Sequence, residues 1–359
     1  MAKPTAHPVK PQAVKPKGRR GPVQRLVRAL RYQQKTPLSM PPAQRLKALR
    51  HGFRSSNYTL YDFEHHDPRD YLPDTVFREA TNINGKVCQN ILRDKLLFSQ
   101  LLSGSVFRLP EVFAFVDHGQ FYPLGEKKTL PEILEAHGGF VLKPSDGWQG
   151  AGIFSVAERQ GELWIGAQPS TLAALEAQLA QLNGYLVTER IAQDGYARDI
   201  FPGSANSVRV VTMQDPDDNH RPFVAVAVHR FGSKTTGPTD NVSRGGLMAH
   251  IEPRSGVLDS AIKFPHETGG RLSWCAQHPD TGAAIEGRAV PRWSMVQRQL
   301  LELVETLPFF RYVGWDVIIT ENTFWLVEGN HNPSPAVQVF HPYLKDPKIR
   351  RFFRYHGVI

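Results

Sequence analysis

Residues 312–335 restrict the fold most. Two apolar runs, 312–320 and 323–328, are separated only by Glu321-Asn322, a spacing that predicts a β-hairpin. Asp316 stands inside the first run among Trp315, Val317 and Ile318. An unpartnered carboxylate in such a strand is costly, so the fold has to supply a partner. Glu328 and Asn330 end the second run two residues apart and project from one face. Three oxygen-bearing side chains on one hairpin rim suit Mg²⁺, which takes oxygen ligands and shares them with nucleotide phosphates. Acids that are merely solvated or capping at strand ends are the other reading.

The rest of the chain alternates helix and strand. Helices are predicted over 43–51, 90–102, 131–137, 170–181 and 293–307, with Thr129 and Ser170 as N-caps. Strands are predicted over 112–116, 140–143, 153–156, 162–165 and 185–189. A hairpin of 207–213 and 223–231 closes on the polar turn QDPDDNHRP. Four regions follow: a basic arm (1–36), a helical and mixed region (37–110), a lobe with a glycine-rich loop (111–192) and a lobe with the acidic hairpin (193–359).

Charge separates the arm from the body. Residues 1–35 hold ten of the 43 Lys and Arg and none of the 34 Asp and Glu, so the remainder carries 33 bases against 34 acids. A near-neutral body argues against a nucleic-acid surface. Residues 1–22 are too poor in large apolar groups to order themselves. Val23, Leu26, Val27 and Leu30 then form an apolar stripe among arginines. That stripe reads as a solvated arm docking on the body, or as a peripheral contact with a membrane or another anionic partner. No run of 18 apolar residues predicts a spanning helix. Cys88 and Cys275 make neither a disulfide framework nor a zinc spacing. The expectation is a cytoplasmic protein, with peripheral placement at the inner membrane face as the arm's alternative.

Three further segments carry chemistry. In VLKPSDGWQGAGI (141–153), Lys143 ends an apolar strand and is followed by Gly147, Gly150 and Gly152. Glycines let a backbone approach phosphate oxygens and lysine adds a point charge; a hairpin turn beside a surface lysine has the same pattern. In NSVRVVTM, Arg209 lies within an apolar strand. A buried arginine needs an anion, either a structural carboxylate or a ligand phosphate. In TDNVSRGGL (239–247), Asn241, Ser243, Arg244 and two glycines read as an anion-binding loop or a flexible turn.

In chain order the pieces are the helix RDKLLFSQLL with Lys95, the strand–Lys143–glycine loop, the strand YLVTERI, Arg209, the DN-x-S-x-GG loop, and Asp316 followed by Glu328-x-Asn330. This series resembles the ATP-grasp superfamily, with the Asp and Glu-x-Asn ending as its most specific part. HPDTGAAIEGRAVPRW (278–293) followed by VGWDVIIT is similar to the subgroup of sugar-transfer-associated ATP-grasp proteins. The resemblance implies an α/β (α+β) ATP-grasp fold, two lobes gripping ATP, preceded by a short helical region and a disordered basic tail. It implies that Lys95 and Lys143 contact ATP phosphates and that the loop of Gly147, Gln149, Gly150 and Gly152 covers them. Glu189, Arg190 and Ile191 would meet adenine, and Asp194, or next Asp199, the ribose. Arg209 would act on the transferred phosphoryl, with Lys143, Asn241 and Arg244 beside the reacting groups. Asp316, Glu328 and Asn330 would hold Mg²⁺.

The implied activity is an ATP-dependent ligase that makes an acyl phosphate from a carboxylate and joins it to an amine or another nucleophile, in polysaccharide, glycoconjugate or small-molecule biosynthesis. Sugar-linked carboxylates and amines are the implied partners, and nucleic acid is not. A kinase acting on a hydroxyl and a nucleotide-binding module without catalysis are the alternatives.

Overall fold

The structure, a computed structural model, describes residues 40–105, 107–126, 129–147 and 152–359. The basic arm, and Gln149 and Gly150 of the glycine loop, lie outside the described residues.

Among the described residues two seven-stranded sheets form, each antiparallel throughout. The first comprises β1 (Val112–Asp117), β2 (Gln120–Pro123), β3 (Gly139–Pro144), β4 (Phe154–Arg159), β5 (Glu162–Ile165), β6 (Gln168–Ser170) and β7 (Tyr185–Glu189), in the order β2-β1-β7-β3-β4-β5-β6. The second comprises β8 (Val208–Asp215), β9 (Arg221–Phe231), β10 (Leu247–Ile251), β11 (Leu258–Lys263), β12 (Ser273–Cys275), β13 (Tyr312–Ile319) and β14 (Phe324–Asn330), in the order β12-β11-β10-β9-β8-β13-β14.

The second sheet is covered on both faces, so β8 and β13 are buried along their whole length. Strands buried on both faces read as apolar runs without alternation. Val208, Val210, Val313, Trp315 and Val317 pack with the helix Trp293–Thr306. Val211, Met213 and Tyr312 pack with the N-terminal residues Phe53, Tyr61 and Phe63 and with Phe352 and Phe353 of the C-terminal helix Pro347–Tyr355. The first sheet has its own core around Phe113, Phe140 and Leu175.

Local chemistry sets several boundaries. Thr129 and Glu132 form a reciprocal capping box at the start of Leu130–His137, which ends at Gly138 with φ +63°. Gln160 and Gly161 both have positive φ, which turns β4 into β5. Two expectations change. Thr171, not Ser170, caps the helix Leu172–Leu179, because Ser170 is used in β6. The single helix expected over 90–102 is two, Gly85–Arg93 and Lys95–Leu102. Between them Asp94 is extended, and its Oδ1 accepts from the Leu96 and Leu97 N–H groups and from Ser145 Oγ. This break starts a helix at Lys95, whose N–H donates to the Ser145 carbonyl (3.0 Å) next to the glycine loop.

Candidate active site

One wall of the site comes from strand register. Asp316 on β13 lies directly opposite Arg209 on β8 and Glu328 on β14. The β13–β14 register slips at Val327, which brings Glu328 level with Asp316. Arg209 is buried and clasps Asp316 with both arms of its guanidinium: Nη2 donates to Oδ2 at 2.8 Å, and Nε to Oδ1. From β9, Arg230 Nη2 also donates to Asp316 Oδ2, at 2.9 Å, while its Nε lies 3.4 Å from Asp240 Oδ2. Ser207 bridges the two through its hydroxyl, which accepts from Arg230 and donates to Asp240.

Of the two readings for Arg209, the structure therefore meets the carboxylate pairing. Arg230 and Asp240 were not singled out from the sequence. Arg230 interrupts the apolar run FVAVAVHRF just as Arg209 interrupts its own, so the signal was there.

Asp316 is 3% exposed. Burial pushes its carboxyl up, but the Arg209 and Arg230 guanidiniums outweigh that and hold it well below the usual carboxylate range. Arg230 is likewise held charged against burial by Asp240, Asp316 and Glu328. Glu328 moves the other way: burial, then the neighbouring Asp316 charge, raises it, with Lys95 opposing. Lys95 Nζ is 3.9 Å from Glu328 Oε2 and donates to the Gly147 carbonyl at 3.3 Å.

The other wall is cationic. Lys143 on β3 is 8% exposed and has no carboxylate within 4 Å among the described residues. Burial, then repulsion from Lys95, lowers its ammonium to about 8, with Glu328 opposing. Two ammonium groups share a single carboxylate, Glu328, so the pocket favours a polyanion.

A cavity of about 1520 Å³ joins the walls. Lys95, Lys143 and Gly147 line it, as do Glu189, Arg190 and Ile191 after β7. Arg209, Asn241, Asp316, Glu328 and Asn330 line it from the second sheet. Asn241 Oδ1 accepts from Ser243 N–H and Oγ, which shapes the short turn Val242–Arg244.

Four expected residues, Asp194, Asp199, Arg244 and Gly152, do not line the cavity. Asp194 caps the helix Gly195–Ile200 and accepts from Arg292 Nη2 at 2.6 Å. Its N–H donates to the Ile319 carbonyl, and it does not line the cavity, although its neighbour Gln193 does. Arg244 is outside the lining; it completes the turn that Asn241 opens. Gly152 is also outside it, at φ +76°, where a Cβ would fall 2.5 Å from Tyr185 Oη.

The rim suits a hard cation with one adjustment. Asp316 Oδ1 accepts a single hydrogen bond and keeps a lone pair, and Glu328 is a raised carboxyl that a cation would recharge. Asn330 presents Nδ2 to both acids, at 3.3 Å from Asp316 Oδ2 and 3.2 Å from Glu328 Oε1. A bound cation requires the opposite amide flip, which exposes Oδ1. Among the described residues no three His, Cys, Asp or Glu side chains gather into a metal group, so the amide is needed.

The family model described as sugar-transfer associated ATP-grasp matches residues 78–342, a span that holds both lysines, both arginines and the β13–β14 hairpin. The chain belongs to this family. Among solved structures, this sugar-transfer associated ATP-grasp protein is similar to N5-carboxyaminoimidazole ribonucleotide synthetase from Thermotoga maritima, at 11% identity and TM-score 0.40, over 75% of this chain and 50% of that one. It is also similar to D-alanine–D-alanine ligase from Bacillus anthracis, at 12% identity and TM-score 0.40, over 74% and 69%. A third is the ATP-grasp ligase PsnB complexed with a minimal precursor, at 11% identity and TM-score 0.36, over 77% and 63%. The chain thus spans half the length of the first of these. No curated protein matches it. Among the described residues, no helix of this ATP-grasp protein is long and apolar enough to cross a membrane.

Proposed function

We propose that the protein is an ATP-dependent ligase that activates a carboxylate as an acyl phosphate and joins it to an amine or another nucleophile. The observation that carries the reading is the uncompensated Lys143, beside Lys95, sharing one cavity with the Asp316–Glu328–Asn330 rim. A buried cation without a carboxylate partner, next to a second lysine, calls for a ligand with several negative charges, and oxygen ligands at the same cleft call for the hard cation that accompanies such a ligand. The family name motivates sugar-linked substrates.

In this reading Lys95 and Lys143 bind the nucleotide phosphates, and backbone groups of Arg190 and Ile191 read the adenine edge. Glu328, Asn330 and the free lone pair of Asp316 would hold Mg²⁺, which supplies charge neutralisation at the β- and γ-phosphoryl oxygens. Arg209 and Arg230 fix the Asp316 carboxylate and keep positive charge at the rim. A carboxylate oxygen of the substrate attacks the γ-phosphorus, and the bond to the β-phosphate oxygen breaks to release ADP. The nucleophile then attacks the carbonyl carbon and inorganic phosphate leaves. Such transfers pass through a loose transition state, so positioning and charge supply most of the acceleration.

The test is ADP and phosphate release by the full chain with uronic and other sugar acids paired with amines. A ligase releases phosphate in step with the acceptor, whereas a kinase retains it on product. Glu328→Gln should lower ADP release by about 10²-fold or more, the scale of one preorganised electrostatic group, with little change in melting temperature. Full activity in that variant would sink the assignment of the rim.

A further inference from the structure

The cavity extends past the phosphate-facing rim to a wall built from residues 54–74, which precede the matched family span. Tyr61 Oη donates to the Pro335 carbonyl at 3.0 Å, tying this wall to the turn that follows Asn330. The helix Ser55–Leu60 packs against the turn Pro265–Glu267, whose His266 Nε2 pairs with the Ser243 carbonyl at 3.0 Å. The wall thus adjoins both the Asn330 rim and the Asn241–Ser243 turn, away from the adenine-facing strand end.

Asp74 belongs to this wall, is 8% exposed and lines the cavity. Its Oδ2 accepts from the Arg54 backbone N–H at 2.8 Å and from Asn57 Nδ2 at 2.9 Å. Its Oδ1 accepts nothing among the described residues. That oxygen is not among the fully buried polar atoms left without a partner, so it opens into the cavity, where a ligand donor can reach it. Burial raises its carboxyl above the ordinary value, while the Arg54 and Asn57 contacts pull it down. A charged donor from a ligand meets this open oxygen better than a neutral hydroxyl, since charge-assisted hydrogen bonds are roughly twice as strong.

We infer that Asp74 is the acceptor-recognition residue, its Oδ1 receiving an N–H of a primary amine on the nucleophilic substrate while Asn57 and the Arg54 backbone hold Oδ2 in place. The inference rests on the ligase reading and assigns the acceptor to the amine class. A purely local role for Asp74, stabilising the first turn of the helix Asp74–Thr81 and the Arg54 N–H, predicts no ligand preference, and this separates the two.

The experiment is calorimetric titration of the full chain, saturated with ADP and Mg²⁺, with glucosamine, ethanolamine and glycinamide, each against its N-acetylated counterpart. At least one amine should bind tenfold tighter than its N-acetyl form. Asp74→Asn should reduce that preference to less than twofold while still binding ADP. If the variant does not fold, Asn57→Ala replaces it and should reduce the preference at least threefold. An unchanged preference in the variant, with only its melting temperature lowered, overturns the inference in favour of the local role. Absence of any amine preference in the wild-type chain overturns it as well. Failure to bind ADP at all would instead count against the ligase reading.

Discussion

Lys143 and Asp316 both sit in interior strands of a sheet, and both are almost fully buried, yet their charges are balanced in opposite ways. Asp316 has Arg209 level with it on one side, and Arg230 reaches it from the strand beyond. Lys143 is level with Leu186 of β7, which offers no charge. The second sheet compensates its buried carboxylate through its own register. The first sheet leaves its buried ammonium for something outside the chain to compensate. A charge the fold neutralises supports the fold, and a charge it leaves open supports binding at some expense of stability.

The largest break in this contrast comes from Asp316→Ala. It leaves two buried guanidiniums facing each other, and loss of one partner of a buried pair removes about 3–5 kcal/mol. Urea unfolding of the full chain should show that loss. A change under about 1 kcal/mol would mean that the arginines find other anions and that register is not what balances the charge.

Lys143→Met should act with the opposite sign. The ligand-free chain should melt higher, and ADP affinity should fall by about tenfold or more, the weight of one charge-assisted contact. The pH dependence sharpens this. In the folded chain the Lys143 ammonium is held at about 8, below its ordinary 10.5. Between those values the unfolded chain binds the extra proton, so this group's contribution to stability rises as pH climbs from 8 to 10.5. The stability deficit of the wild type relative to Lys143→Met should therefore shrink across that window and stay constant below it. A deficit that grows with pH would reverse the assignment.

The smallest effect belongs to Asp194→Ala. Loss of its cap on Gly195–Ile200 and its pairing with Arg292 should lower stability by about 1 kcal/mol, with ADP affinity unchanged by titration. A tenfold drop in affinity would return Asp194 to the nucleotide site.

These residues also show what was legible beforehand. The β13–β14 and β8–β9 hairpins were readable because each joins apolar runs across a short polar turn. Among the elements that went unpredicted, β10 and β11 have the same punctuation, a polar turn over 252–256 with Pro253 and Gly256, so this hairpin was legible and was missed. The helix Pro347–Tyr355 was harder to read. In the helix, basic residues alternate with Ile349, Phe352 and Phe353, which pack on the N-terminal aromatic cluster far away in the chain. Asp94 interrupts a helical pattern that looks continuous, because its side chain serves Leu96, Leu97 and Ser145 together, and Ser145 is 51 residues away.

By itself the sequence determined which residues are under constraint. An Asp, two Arg and a Lys inside apolar strands each demand a compensating group, and that demand follows from burial alone. Which group answers it depends on what lies across the strand, and a strand neighbour can come from more than a hundred residues away, as Arg209 does for Asp316. The tertiary structure alone decided that Asp316 is answered by two arginines, that Asp194 is taken by Arg292, that Lys143 is left unanswered, and that Asp74 joins the same cavity from a region with no motif. Local patterns record the burial of a charge, but its partner is a matter of long-range register, which no short window of sequence contains.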